Sequence, residues 1–295
     1  MAMQAKRRAS NVVGDFYVDT SCIDCGTCRW VAPESFDVSG SKSRVYYQPE
    51  NDAQNHRACM ALLACPVGAI GSHKTHNFKA AQTAFPDLIE ANVFHCGYHS
   101  RKSYGATSYL IQRKEGNLLV DSPRFIPSLI SQLEALGGIR YFFLSHIDDV
   151  ADHSMFARHF GCDRILHQDD VNIETDEVEI QPQGETPLAL DNDLLLIPTP
   201  GHTKGSCCLL YQERYLFTGD HLWWNPGSHC LSASPYYCWY SWEHQIASME
   251  LLAKYRFSWV LPGHGQRIQL SEKKMKDALQ QCIDWMKRRK MQRVV

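Results

Sequence analysis

The chain has 295 residues, of which 44% are hydrophobic and 21% charged, with a formal net charge of −2. This composition indicates a globular protein with a buried core, and it excludes a disordered chain, a collagen and a coiled coil. The balanced charge gives no electrostatic footprint for nucleic acid. The cysteine content, twelve of 295 residues, lies well below the roughly 8–10% of a disulfide-stapled secreted domain. The cysteines and the fourteen histidines need another explanation.

The sequence divides into three zones: a predicted solvated tail at 1–15, a cysteine-rich domain at 16–72 and a larger domain at 73–295. In the larger domain, short β-rich runs alternate with helical patterns. We predict strands at 104–111, 117–121, 139–145, 194–197, 207–211, 215–218 and 259–261, and a helix at 127–136. A last helix follows Ser271, with a buried stripe at Met275, Ala278, Leu279, Cys282, Ile283 and Met286.

The cysteine-rich domain contains a C-x2-C-x2-C run that begins at Cys22, and Cys65-Pro66 follows further on. Thiolates at this spacing bind three irons of a cubane cluster, and a distant cysteine supplies the fourth ligand. Two-cluster ferredoxins have a further cysteine in the run for their other cluster, where this chain has Ala32. Residues 16–70 therefore resemble single-cluster bacterial ferredoxins. One [4Fe–4S] cluster is predicted, with ligands Cys22, Cys25, Cys28 and Cys65.

Four polar motifs in the larger domain each follow a predicted strand. They occupy 145–153, 200–203, 218–220 and 262–265. Loops at one edge of a sheet can bring such motifs together on a rigid scaffold. Their imidazole and carboxylate groups are suitable ligands for zinc, iron or manganese.

These motifs, in this order, resemble the metallo-β-lactamase superfamily over about 104–264. The resemblance implies an α+β fold, with an αββα metallo-β-lactamase sandwich preceded by a small ferredoxin-like domain. It also implies one or two divalent metals and hydrolysis of an ester, thioester, amide or phosphodiester. By the resemblance, His202 binds the first metal and Asp220 bridges both. The ligands implied for the second metal are Asp152, His153 and His264.

The first motif departs from the family pattern His-x-His-x-Asp-His, because two extra residues separate His146 from Asp152-His153. Aligned from the left, His146 is kept and Asp148 takes the second histidine position. Aligned from the right, Asp148 takes the first position and Val150 the second. We favour the left alignment, with Asp149 as the competing carboxylate. A carboxylate here favours iron or manganese over zinc. The predicted metal ligands are His146, Asp148, Asp152, His153, His202, Asp220 and His264.

Three functions compete. The first is a metal-dependent hydrolase of a small-molecule substrate, with Asp152 or a bridging hydroxide as catalytic base and the cluster domain as a structural, redox or sensor module. The second is an iron-dependent oxidoreductase that receives or passes electrons through the ferredoxin domain, with a redox partner protein. A non-enzymatic scaffold is the third reading.

Two further segments remain open. We interpret His95-Cys96-Gly97-Tyr98-His99 as a polar loop leading into a strand, with a role at the active site or the domain junction as the alternative. An aromatic-rich segment follows Asp220, and it predicts either a wall beside the substrate or a packed seam between the modules.

The sequence shows no sign of export or membrane insertion. No apolar run approaches the ~20 residues of a membrane helix, and the basic start leads into a segment without an apolar core. We expect the reducing cytoplasm, with the stroma of an organelle as the alternative. Cysteines in such a compartment serve as metal ligands or buried thiols.

Overall fold

The computed structural model describes residues 2–293, with side chains as far as Arg289. The chain divides into two compact units. The first contains the residues up to Tyr141 together with Ala151–Cys162, and the second contains Phe142–Val150 and the chain from Asp163 onward. The predicted cysteine-rich domain lies within the first unit, and its boundary at residue 72 stays a prediction.

The first part of the first unit has two small antiparallel sheets and two helices. Its elements are β1 (Phe16–Val18), α1 (Thr27–Val31), β2 (Phe36–Ser39), β3 (Lys42–Val45), α2 (Asp52–Ala64) and β4 (Ile70–Ser72). β1 pairs with β4, and β2 pairs with β3. α2 begins after Asn51, whose side chain accepts a hydrogen bond from the amide of Gln54, and it ends at Cys65.

Residues 2–15 are largely exposed, as expected for a tail, but they are anchored by Asn11. The buried Asn11 side chain donates to the carbonyl of Val18 at 2.8 Å. It accepts from the amides of Val18 and Val45 at 3.0 and 2.9 Å. The side-chain amide of Asn11 thus links β1 to β3 through hydrogen bonds, which a purely solvated tail would not do.

The rest of the first unit contains an antiparallel sheet, in which β5 to β8 are neighbours in chain order. Its elements are α3 (Lys79–Gln82), β5 (Asp87–Glu90), β6 (Val93–His95), β7 (Tyr109–Ile111), β8 (Leu118–Val120), α4 (Pro127–Ala135) and α5 (His153–Phe160). The strand predicted at 104–111 is shorter, because Tyr104 and Gly105 have φ angles of 49° and 88°. Such left-handed residues cannot continue an extended strand.

The second unit contains a six-stranded sheet in the order β11-β12-β13-β14-β17-β18, and β9 lies beside β10. Its elements are β9 (Tyr141–Phe143, whose first residue closes the first unit), β10 (Asp163–Ile165), β11 (Leu188–Asp191), β12 (Leu194–Pro198), β13 (Cys207–Tyr211), β14 (Tyr215–Gly219), β15 (Trp223–Asn225), β16 (Cys230–Ser232), α6 (Trp242–Leu252), β17 (Trp259–Pro262), β18 (Ile268–Gln269) and α7 (Glu272–Arg293). α6 and α7 contribute to a core cluster that also includes sheet residues. In α7, the predicted stripe is buried at Met275, Leu279, Cys282, Ile283 and Met286, and Ala278 packs against it.

The pairing of this sheet places three of the predicted motifs at one edge. β13 is antiparallel to both β12 and β14, so β12 and β14 run in the same direction. β14 is parallel to β17. The carboxyl ends of these three strands therefore lie on the same side, and the loops that carry His202, Asp220 and His264 begin there.

No helix in the described chain combines the length and the apolar character needed to cross a membrane.

We expect Leu216→Ala to lower the free energy of unfolding by about 2–5 kcal/mol, because it leaves a cavity in the core. Leu216 is 0% exposed and lies between Leu210 and Val260 in the sheet. Urea unfolding of the metal-loaded protein measures the change. The control is Leu188→Ala on β11, where the side chain is 41% exposed and a change within about 0.5 kcal/mol is expected. Equal losses in the two variants would contradict this account of the core.

Candidate metal centres

The four predicted cluster ligands meet around one cavity in the first unit. Cys22, Cys25, Cys28 and Cys65 all line it, among mostly apolar neighbours. Gly26 has a φ of +80° immediately before α1, a conformation that glycine adopts without strain. This turn lets the short cysteine loop wrap around a single centre.

The chemistry of these thiols fits an iron–sulfur cluster. Burial raises the pKa of Cys25 to about 11 and that of Cys28 well above its usual range. Thiols in such surroundings become thiolates when a metal compensates the charge. Two sulfurs also have nearby donors: the Ala69 amide lies 3.2 Å from Cys65 Sγ, and Thr27 Oγ1 lies 3.4 Å from Cys25 Sγ. Hydrogen bonds to thiolate ligands are part of the environment that tunes such clusters.

A second centre lies in the second unit, where His146 and His202 face the same carboxylates. Asp148 Oδ2 lies 3.9 Å from His146 Nε2 and 3.4 Å from His202 Nε2. Asp220 Oδ2 lies 3.9 and 3.8 Å from the same two nitrogens. His146, Asp148 and His202 form one group of donor atoms close enough to hold a metal ion.

Both carboxylates proposed for the altered motif lie beside His146. Asp149 Oδ2 is 4.0 Å from His146 Nε2, and the Asp149 side chain is fully buried. His146, Asp149 and Asp220 form the second group of donor atoms. Asp148 is half-exposed, so the two aspartates occupy the solvent side and the buried side of one histidine.

Hydrogen bonds at Nδ1 direct the two imidazoles. His202 Nδ1 donates to the carbonyl of Tyr237, and His146 Nδ1 lies 2.9 Å from Ser145 Oγ. Neither Nε2 makes a hydrogen bond within the described part of the chain, although both are buried. A hydrogen bond at one ring nitrogen orients the imidazole so that its other nitrogen can bind metal. Both residues therefore fit the role of metal ligands.

The charges of the centre are coupled. Burial lowers the pKa of His146 to about 4, so this imidazole is neutral at pH 7, as metal binding requires. Burial alone would lower the pKa of His202, but its contact with Asp148 raises it, and the same contact lowers the pKa of Asp148. Burial would raise the pKa of Asp220, yet the neighbouring His264, His146 and His202 hold it well below its usual range.

His264 orients the Asp220 carboxylate. Its Nδ1 lies 2.7 Å from Asp220 Oδ1 and 2.9 Å from Oδ2. Gly263 precedes it, and a Cβ there would lie 2.8 Å from Asp149 Oδ2 and 3.0 Å from Asp220 Oδ1. The absence of a side chain at Gly263 lets the backbone approach both carboxylates.

Asp170 joins the two loops that carry the histidines. This buried carboxylate accepts from the amide of Ile147 at 3.0 Å, from the amide of Gly205 at 2.7 Å and from the hydroxyl of Thr203. Asp170 was not among the predicted site residues, because its only signal in the sequence is a pair of aspartates shortly after β10, which is a weak one.

Asp152 and His153 belong to the first unit. Asp152 Oδ1 accepts from Lys102 Nζ at 2.7 Å, and Oδ2 accepts from the amide of Phe125 at 2.9 Å. His153 is buried at the start of α5. Within the described chain, neither of the two donor groups includes Asp152, His153 or His264. The roles of Asp152 as base, and of these three residues at a second metal, stay predictions.

An exposed aromatic segment is joined to the His202 loop. It consists of Tyr236, Tyr237, Trp239 and Tyr240, which are 68, 62, 62 and 44% exposed. The amide of Trp239 donates to the carbonyl of His202 at 2.8 Å, and the two rings lie 6.1 Å apart. Together with the bond from His202 Nδ1 to Tyr237, these contacts place the segment beside one of the candidate ligands.

Comparisons with known proteins found similarities to both parts of the chain. Residues 18–72 match the family described as the 4Fe-4S single cluster domain of Ferredoxin I. A structure of DIM-1 metallo-β-lactamase exposed to ceftazidime is similar, with a TM-score of 0.53 and 17% identity. The alignment covers 66% of this chain and 95% of that one. The chain thus has a ferredoxin-type segment and, over 66% of its length, the α+β fold of the metallo-β-lactamases.

Two curated proteins are similar in sequence. The uncharacterized protein YobT of Bacillus subtilis (strain 168) is 26% identical over 207 residues, which are 59% of this chain and 89% of that protein. A hydroxyacylglutathione hydrolase of Anaeromyxobacter dehalogenans (strain 2CP-C) is 31% identical over 136 residues, or 44% of this chain. The match spans about half of that hydrolase, 52% of its length.

We expect Asp170→Asn to lower the affinity for metal at the second centre by about 10–100-fold. An asparagine directs an NH₂ group at donors that Asp170 now accepts from, so the two histidine loops lose their common anchor. Metal content after dialysis against a graded series of chelator concentrations measures the effect. The matched control is the adjacent Asp169→Asn, where an exposed carboxylate bonds Lys204 at 3.0 Å. Equal metal loss in both variants would show that Asp170 does not organise the centre.

Proposed function

We propose that this chain is a metal-dependent hydrolase with an attached [4Fe–4S] redox or sensor module. The observation that carries the proposal is the convergence of His146 Nε2 and His202 Nε2 on the carboxylates of Asp148, Asp149 and Asp220. Divalent metals suit this donor set, and the metallo-β-lactamase fold supports the same reading.

The residues of the centre would have different roles. When bound there, a divalent metal would supply Lewis acidity and would lower the pKa of a water ligand to about 7. His146 and His202 would hold the metal on the side of Asp148, and Asp149 and Asp220 would hold it on the buried side. Asp148 is the half-exposed carboxylate of the donor groups. Asp152 is the proposed catalytic base.

A thioester or ester is the proposed substrate class. The similarity to a hydroxyacylglutathione hydrolase supports it, and the exposed aromatic segment offers apolar surface beside His202 for the non-reacting part of a substrate. We propose that the cluster module exchanges electrons with a redox partner protein and reports the redox state of the compartment, which we propose to be the cytoplasm.

We expect the metal-loaded wild type to hydrolyse a hydroxyacylglutathione thioester or p-nitrophenyl acetate, and His202→Ala to lower kcat/KM by at least about a hundredfold. Thiol or p-nitrophenol release measures the reaction on protein purified without oxygen. The control is His229→Asn, because His229 is exposed and its left-handed φ of 50° suits asparagine. Activity unaltered by His202→Ala would contradict the proposed centre. Absence of activity on both probes would contradict the substrate class.

The three carboxylates around two histidines also favour a second candidate, an iron-dependent oxidoreductase fed by the cluster. Hard oxygen ligands suit iron and manganese better than zinc. Elemental analysis of protein purified without oxygen separates the two functions. A hydrolase is expected to contain zinc or manganese beyond the four cluster irons. Iron in excess of four, with electron transfer from the reduced cluster on addition of an acceptor, would favour the oxidoreductase.

A further inference from the structure

A line of buried polar groups leads from the cluster ligand Cys25 to two histidines outside the ferredoxin-type segment. Thr27 Oγ1 lies 3.4 Å from Cys25 Sγ and 3.3 Å from His99 Nδ1. His99 Nε2 lies 2.8 Å from His95 Nε2. Thr27 is 1% exposed, and both histidines are fully buried. All of these residues belong to the first unit.

The direction of each hydrogen bond follows from the chemistry of the groups. The carbonyl of Gly105 lies 2.8 Å from His99 Nδ1 and can only accept, so Nδ1 carries the proton. Of the two Nε2 atoms that face each other at 2.8 Å, one donates and the other accepts; with the His99 proton on Nδ1, His95 Nε2–H is the donor. A cluster-bound Cys25 is a thiolate and can only accept. Thr27 therefore donates its hydroxyl proton to Cys25, and its oxygen shares the His99 Nδ1–H with the Gly105 carbonyl, which is the nearer acceptor.

Packing holds this arrangement in one geometry. The Trp30 ring lies edge-on to His95 at 4.4 Å between ring centroids, and Phe85 lies edge-on at 5.5 Å. Gly105 presses against the cluster loop, since a Cβ there would lie 2.8 Å from Cys25 Cβ. The segment 95–105 thus completes the surroundings of Cys25 from outside residues 18–72.

We infer that the Thr27 hydroxyl, held by His99 and His95, sets the reduction potential of the [4Fe–4S] cluster. When the cluster accepts one electron from an external reductant, its thiolate ligands gain negative charge and no covalent bond changes. A hydrogen bond to Cys25 stabilises that reduced form and raises the potential. Thr27 contacts the ligand directly, and His99 is a positioning residue. The inference rests on cluster binding by the four cysteines, and it is independent of the hydrolase activity.

The test is a redox titration of the full-length protein, purified without oxygen and followed by EPR of the reduced cluster. We expect Thr27→Val to favour the oxidised cluster roughly tenfold, which is a fall in potential of about 59 mV for one electron. Thr27→Ser keeps the hydroxyl, and its potential is expected to stay at the wild-type value. Thr20→Val removes an exposed threonine of the same segment and is the matched control. An unchanged potential in Thr27→Val, or equal shifts in the valine and serine variants, would overturn the inference.

The role of His99 is tested by His99→Leu, alone and combined with Thr27→Val. We expect the single variant to lower the potential, and the double variant to equal Thr27→Val because the two residues act in series. Shifts that simply add would show that His99 acts independently of Thr27 and would overturn its positioning role. Iron content in every variant separates loss of the cluster from a change in its potential. If Thr27→Val does not retain four irons, the comparison of His99→Leu with wild type decides, and an unchanged potential there overturns the inference.

Discussion

The buried carboxylate of Asp170 is the constraint on which the second centre depends. Two side chains can bind one metal ion only if they are held at a fixed distance from each other. Loops are not rigid enough by themselves to hold them. Asp170 accepts from the loop that follows His146 and from the loop that follows His202. Its negative charge is stabilised by three directed donors instead of by water, and this makes the two loops one structural element. The hydrogen bonds at Nδ1 of the two histidines then orient the rings so that each Nε2 faces the carboxylates.

The motif after β9 is also explained by how its carboxylates are placed. Two additional residues and an aspartate in place of a histidine distinguish this motif from the pattern it resembles. Here the short turn after His146 places Asp148 on the solvent side and Asp149 on the buried side. Gly263 leaves room for the buried carboxylate. The two groups of donor atoms together contain three carboxylates and two imidazoles, so the candidate centre is rich in oxygen.

Much of this could be predicted from the sequence, because the signals were local. Cysteine spacing identified a cluster cradle whose four thiols line one cavity, and helical periodicity identified the buried stripe of α7. Strand lengths were less accurate, since the left-handed residues at Tyr104 and Gly105 have no reliable sequence signature. The choice between Asp148 and Asp149 could not be made, because both lie near His146. Asp170 was missed because its role depends on three partners distant in sequence, and the same is true of His99 beside Thr27.

The contact of Gly105 and His99 with the cysteine loop has a consequence for how such proteins evolve. A ferredoxin-type segment contains all four predicted ligands of its own cluster, and it can therefore be regarded as a self-sufficient redox domain. Here part of the environment of Cys25 comes from a loop of the adjoining sheet. Moving residues 18–72 into another protein would transfer the four cysteines without the residues of the 95–105 loop that surround Cys25. Substitutions in the 95–105 loop and in the cysteine loop are therefore expected to covary among related sequences.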